Sequence, residues 1–359
     1  MSRLWERACT RLIASLLLLS GSAVEAADAA LVPRLVTEPV RYDTDDPAIW
    51  INPADPAASL VLGTDKDADG ALYVFDLNGD IVQDKVVRGL LRPNNVDIAY
   101  GVMVAGQKVD VAVVSERYAH RLRVYRLPDM APVDGGGIPV FEGERARDVM
   151  GIALYTRPSD GALFAIVSRS DAFAPTEGYL HQYRLVDDGT GQLRGMFTRA
   201  FGRWSGTKEI EAIAVDNELG YVYYSDENYG IRKYHADPLQ EDADEQLAVF
   251  GLDGFTEDRE GISIYKRADG TGYLLVSDQQ ANRFNLYPRE GDGGNPLQHT
   301  LLGSVPLSTV ESDGSDITAV ALPGFPGGVF AAMSTDKTFH FYAVGDLLRA
   351  AGLANSSSQ

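Results

Sequence analysis

Apolar residues along the chain come in short runs broken by Gly, Asp and Asn, and no long stretch carries the 3.6-residue period of an amphipathic helix. Six of the runs end in a small hydroxyl residue: "LVLGTDK" at Thr64, "VAVVSER" at Ser115, "FAIVSRS" at Ser168, "VYYSDE" at Ser225, "LLVSDQ" at Ser277 and "AAMSTD" at Ser334. The intervals are 51, 53, 57, 52 and 57 residues. About ten residues after each hydroxyl stands an aromatic, namely Phe75, Tyr125, Tyr183, Tyr234, Tyr287 and Tyr342. Before each lies an acidic or amide residue leading into an apolar strand: "DDPAIW", "NNVDIAY", "DVMGIALY", "EIEAIAV", "DREGISIY" and "SDITAVAL".

Each unit of roughly 53 residues reads as short strands joined by tight turns. A four-stranded unit of that size cannot bury both faces alone, so six units predict the stacked blades of an all-β, six-bladed β-propeller. A β-sandwich would not repeat at this interval. The extended "LVPRLVTEPV" ahead of the first unit is placed to close the ring against the last blade. No Pro-rich linker or charge block divides the chain, and single all-β domains reach this length.

The N-terminus has a different character. Arg3, Arg7 and Arg11 precede and enter the apolar run "LIASLLLLSG", and "SAVEA" offers a small-residue cleavage site after Ala26. Residues 1–26 are therefore expected to be a secretory signal, 27–348 the propeller and 349–359 a polar tail. Export to the periplasm or the medium follows. The only cysteine, Cys9, falls within the leader. The mature chain then has no disulfide, no thiolate nucleophile and no Cys-ligated zinc.

Cleavage removes three arginines and two glutamates, leaving 29 basic against 49 acidic residues and a charge of about −20 with His neutral. Such a surface repels nucleic acid and anionic membranes, and an anionic substrate too unless metal ions intervene. A monomer acting on a small molecule is expected.

In a propeller the innermost strands line a central channel and their loops rim one end. Asp45, Asp46, Asn94, Asn95, Asp97, Glu211, Glu260 and Asp313 are thus placed to converge, together with Lys66, Arg117 and Glu227. The crowding of Asp43, Asp45 and Asp46 is costly without a cation. A ring of oxygen donors suits a hard cation, with Ca²⁺ the best match.

At these residues the sequence resembles the β-propeller phytases, calcium-dependent secreted phosphatases of bacteria. The match runs from about Asp43 to Tyr342 and is carried by "DDPAIW", "NNVDI", "EIEAIAVDNELG", "SDEN", "EGISIY" and "ADGTGYLLVSDQ". The resemblance implies a 3-phytase-type phosphomonoesterase that holds several Ca²⁺ ions and a phosphorylated inositol at the channel mouth. In that family calcium-bridged water attacks phosphorus, while metals and basic side chains neutralise the phosphate oxygens. It further implies that Asp45, Asp46, Asn94, Asn95, Asp97, Glu211, Glu227, Glu260 and Asp313 bind metal. Asp46, Glu211, Glu227, Lys66 and Arg117 would carry the chemistry, with Lys66, Arg117 and Arg169 as phosphate contacts. An arginine there grips phosphate bidentately and a lysine supplies a point charge.

The sequence departs from the family pattern at three places. Met150 stands where a tyrosine is usual, Ser170 and Asp171 replace a Lys–Glu pair, and Leu307 replaces an aspartate upstream of Glu311 and Asp313. Other readings stay open at this point. A lactonase of the same architecture uses one central metal and no basic phosphate grip, and a propeller of this kind can also bind a ligand or partner without turnover. Histidine acid phosphatases need an Arg-His-Gly motif, which is absent, and cysteine phosphatases need a thiolate. "DKDADGALYVFD" mimics an EF-hand loop but lacks the glutamate at position twelve, so a tight hairpin is expected there. His120, His181, His235, His299 and His340 have no metal-ligand spacing and read as surface or strand residues.

Overall fold

The computed structural model describes residues 29–170 and 172–353, so the expected leader and residues 354–359 lie outside the described residues. Six antiparallel sheets follow one another around a central channel, each starting from its innermost strand. The inner strands are Thr44–Trp50, Pro93–Val104, Val149–Thr156, Ile213–Asp216, Arg259–Lys266 and Ser315–Thr318. The strands that follow them are Leu60–Asp65, Gln107–Glu116, Leu163–Arg169, Tyr221–Asp226, Gly272–Asp278 and Val329–Ser334. The chain is a six-bladed β-propeller. Its ring closes as expected, with Leu35 and Val36 pairing with Phe341 and His340 as the outer strand of blade 6.

Six apolar clusters hold the ring, one at each junction between blades. In the second strand of blade 2, Val111 and Val113 pack toward blade 3 while Ala112 and Val114 pack toward blade 1. A strand buried on both faces reads as a continuous apolar run, which is why "VAVV" shows no alternation. Burying each such valine contributes about 1.5–3 kcal/mol. Leu307, the residue that departs from the family pattern, is part of the cluster between blades 5 and 6.

The repeated hydroxyl has a structural task. Thr64 Oγ1, Ser115 Oγ and Ser168 Oγ accept the backbone N–H of Asp46, Asn95 and Gly151 at 2.9, 3.0 and 2.9 Å. Ser225 and Ser277 instead donate to the carbonyls of Glu260 and Ser312 in the next blade, at 3.0 and 2.8 Å. These bonds serve backbone groups that the sheet ladder leaves unpaired. The inner strands of blades 1, 2, 3 and 5 each shift register just there, at Asp45–Asp46, Asn94–Asn95, Met150–Gly151 and Glu260–Gly261. A bulge re-aims side chains next to a site. Glycine is needed at 151 because a Cβ there would lie 1.7 Å from the Glu211 carbonyl oxygen.

Candidate functional site at the channel mouth

The strand registers put equivalent residues of successive blades at equivalent heights. In blades 1 to 5 the N–H two places after the hydroxyl donates to the carbonyl of a residue in the loop entering the blade. The pairs are Lys66 to Asp43, Arg117 to Arg92, Ser170 to Asp148, Glu227 to Glu209 and Gln279 to Asp258, at 2.7–3.4 Å. Asp45, Asn94, Met150, Glu211 and Glu260 follow those loop residues by two places, at a register shift in each of these blades except the fourth. In extended chain, alternate residues share a face.

Contacts across the axis show that the side chains meet. Lys66 Nζ lies 2.8 Å from Asp45 Oδ1 and 2.9 Å from Asp313 Oδ2, joining blades 1 and 6. Asn94 Nδ2 donates to Asp45 Oδ2 at 3.1 Å and reaches Glu211 Oε1 at 3.4 Å. Carboxylate oxygens of Glu227, Asp258 and Glu260 all lie within 4.8 Å of one another, and all three residues are buried. Arg117 Nε lies 3.8 Å from Asp148 Oδ2, is itself buried and has no hydrogen bond.

The electrostatics follow from burial and crowding. Burial, then repulsion from Glu211, Glu209 and Asp258, pushes Glu227 up to about 9. Burial, then Glu227 and Asp313, drives Glu260 well above the usual carboxylate range. Glu211 is also raised, by burial first, with Lys66 opposing and Asp313 and Glu209 adding to the shift. Burial alone would depress the Lys66 ammonium, but Asp45, Asp313 and Glu211 outweigh it and hold it well above its ordinary value. More negative charge converges here than the protein's own cations offset.

Not every expected residue joins this group. Asp97 lies in the channel wall, where its two oxygens accept the N–H groups of Ile98 and Leu154, both at 2.7 Å, and burial lifts it to about 7. Asp46 likewise accepts from Val96 in the next blade at 3.0 Å, and Asp316, absent from the expected set, accepts from Ile49 at 2.8 Å. These three aspartates tie neighbouring inner strands around the channel, which Asn95, Glu211 and Asp313 also line.

Arg169 is placed outside the group. It occupies the position directly after the hydroxyl, where Asp65, Glu116, Asp226 and Asp278 stand in other blades. Those carboxylates accept N–H groups of the entering loops, from Asp43, Leu91, Ser205 and Thr256 at 2.8–2.9 Å. Arg169 does the same work with the opposite charge. Its fully buried guanidinium donates to the carbonyls of Tyr179, Ala146 and Gly178 at 3.1, 3.3 and 3.0 Å and lies 4.3 Å over the Phe141 ring. His299 also departs from expectation: it is buried in a loop, with Nε2 3.2 Å from Lys233 Nζ.

Four residues of the mouth were not singled out in the sequence: Arg92, Lys208, Glu209 and Asp258. Asp258 stands two places before Glu260, as Asp43 stands before Asp45, and that spacing was the available signal. Lys208 Nζ donates to Asp258 Oδ2 at 3.0 Å.

The donor set fits a hard cation. Every candidate ligand is oxygen, from carboxylates and asparagine amides. The side-chain oxygens of Asn94 and Asn95 are buried and accept no hydrogen bond. A buried amide oxygen normally has a donor, and a cation satisfies it equally well.

A model of the phytase family matches residues 6–344. The chain belongs to the phytase family. Among curated relatives, a 3-phytase of Bacillus subtilis (strain 168) is 29% identical over 308 residues, covering 84% of this chain and 76% of that protein. Among solved structures, the Dos1 propeller is 11% identical, covering 84% of this chain and 68% of its own, with a TM-score of 0.43. Hydrazine synthase of Kuenenia stuttgartiensis is 12% identical, covering 85% and 84%, with a TM-score of 0.49. These two likenesses are too distant to bear on function. No helix of the described residues is long and apolar enough to cross a membrane.

Proposed function

We propose that this family member is a calcium-dependent phosphomonoesterase that hydrolyses phytate at the channel mouth. The observation that carries the reading is that the channel mouth combines a buried cluster of Glu227, Asp258 and Glu260, two asparagine oxygens without donors, and the basic side chains Lys66 and Arg117. A lactonase needs no such basic side chains. The matched family and the Bacillus 3-phytase support phosphate ester hydrolysis.

Glu211, Glu227, Asp258, Glu260, Asp313, Asp45 and the amide oxygens of Asn94 and Asn95 are the residues that would hold calcium. Once bound, calcium supplies a Lewis acid for phosphoryl oxygens and eases deprotonation of water near neutral pH. Among the described residues the Arg117 side chain is held only by a 3.8 Å ion pair from its buried Nε to Asp148, so the terminal nitrogens of its fork orient the scissile phosphate. Lys66 adds a charge at a fixed place, set by Asp45 and Asp313. Asp46 and Asp97 act through the backbone by fixing the spacing of the inner strands. Met150 supplies an apolar side chain in the bulge ring, excluding water from that side of the mouth. The leader reading of residues 1–26, and export with it, belong to the same proposal.

Release of inorganic phosphate from phytate, with calcium and with excess chelator, is the test. Turnover that needs calcium and returns on its re-addition is expected. Calcium-independent turnover would refute the metal role, and binding of phytate without phosphate release would show a propeller that has lost catalysis.

A further inference from the structure

One cation at the mouth is held differently from the rest. Lys66 is 15% exposed and fixed by two carboxylates. Lys208 has a left-handed backbone (φ 55°), a side chain 52% exposed, and an ammonium paired with a single carboxylate oxygen of Asp258, whose side chain is 4% exposed. Asp258 does not depend on this partner, because it also accepts from Asn228 and from Gln280, the latter at 2.7 Å. Yet Asp258 belongs to the cluster with Glu227 and Glu260. Two cations competing for one carboxylate repel each other, and the flexible, half-exposed one moves at the smaller cost.

The neighbouring blade carries no cation at the two positions that face the mouth in other blades. Blade 3 offers Met150 in the bulge ring, Ser170 two places after its hydroxyl and Asp148 in its loop. Its Arg169 is turned into backbone carbonyls, and Ser170 Oγ donates to Glu209. Lys208 is the loop cation adjoining this blade.

We propose that Lys208 is a tethered counter-ion that a divalent cation displaces from Asp258 and that then binds a substrate phosphate. The inference rests on the reading of the mouth as a metal-dependent phosphate site. It makes metal occupancy and phosphate affinity reciprocal: each ligand favours the position of Lys208 that the other needs.

Calcium and inorganic phosphate are the probes, titrated by calorimetry on the full propeller, with folding checked by circular dichroism. Lys208→Gln removes the resident competitor, so calcium is expected to bind about 5-fold more tightly, while phosphate at saturating calcium binds about 5-fold more weakly. Lys208→Arg keeps the charge and is expected to fall between Lys208→Gln and the parent in both titrations. Unchanged calcium affinity in Lys208→Gln, or unchanged phosphate affinity, overturns the inference. A parent protein that binds no phosphate at saturating calcium overturns the reading of the mouth as well. A parent that binds it no better than Lys208→Gln overturns the role of Lys208 alone.

Discussion

Blades 2 and 4 make the same hydrogen bond between turn and entering loop and load that position with opposite charge. In blade 2 the Arg117 N–H meets the Arg92 carbonyl at 3.0 Å, and in blade 4 the Glu227 N–H meets that of Glu209 at 3.4 Å. The same hydrogen bond forms although blade 2 turns through a 3-10 helix, Arg117–Ala119, and blade 4 through the three residues between Asp226 and Gly230, so the difference in charge lies in the side chains. A guanidinium at this position in blade 2 and a carboxylate in blade 4 make the two sides of the mouth differ in charge. A uniformly acidic rim would collect cations but repel phosphate, and a basic one would do the reverse. The lesson is that the propeller supplies positions, and the side chains at two of them per blade decide what each arc binds.

Removing the acidic arc is expected to have the largest effect. Glu211→Ala should lower phytate turnover by on the order of 10²–10³-fold or more, the scale of losing one well-placed electrostatic group, and Asp46→Ala should lower it less, by releasing the Val96 N–H that fixes the spacing of two inner strands. Both variants should keep the parent's circular dichroism. Near-normal turnover of either at saturating calcium would show that its carboxylate is dispensable.

The basic arc should respond differently. Arg117→Ala is expected to weaken phytate by about 1.5–3 kcal/mol, the worth of a charge-assisted bond, with calcium affinity in the absence of substrate almost unaltered. Arg117→Lys should recover only part, since an ammonium lacks the planar fork. Steady-state kinetics beside calcium titration measures both. Lost calcium binding with an intact KM would reverse the assignment.

A third effect is a matter of pH. Because the folded protein holds Glu227 near 9, against about 4.5 for an unperturbed glutamate, the native state binds more protons than the unfolded chain between those values. Stability of the calcium-free protein should therefore fall as pH rises from about 4.5 to 9. Calcium should flatten that slope by compensating the carboxylates. Thermal melts in chelator at pH 5 and pH 8.5 would show it, and a higher melting temperature at pH 8.5 would contradict it.

The smallest effect on activity is expected at Arg169. Arg169→Met should leave the KM for phytate within about 2-fold yet destabilise the fold by about 2–4 kcal/mol, because three buried carbonyls lose charged donors. Melting temperature and KM measured on the same variant distinguish this latch from the phosphate contact expected of Arg169. A raised KM without loss of stability would restore the contact.

Much of this was legible in the sequence because a propeller is a repeat. The hydroxyl that ends each second strand marked the blades, since each blade must satisfy the same exposed backbone groups at its bulge or at that of the next blade. The apolar runs marked strands buried on both faces, and Asp45, Glu211 and Glu260 could be aligned without coordinates as acidic residues leading into the inner strands. What failed were distinctions of a single residue. Arg117 and Arg169 stand near equivalent hydroxyls, but a step of one residue along extended chain turns a side chain from the mouth into the protein. Asp97 looked like a member of the acidic set and Asp316 was not singled out, yet both answer N–H groups of adjacent blades, contacts between residues 57 and 267 positions apart in the chain. The sequence by itself determined the number of blades, their order and the kinds of charge available. Only the tertiary structure decided which carboxylates share one space, because their nearness comes from closing the ring, and with it the cost that a cation must relieve.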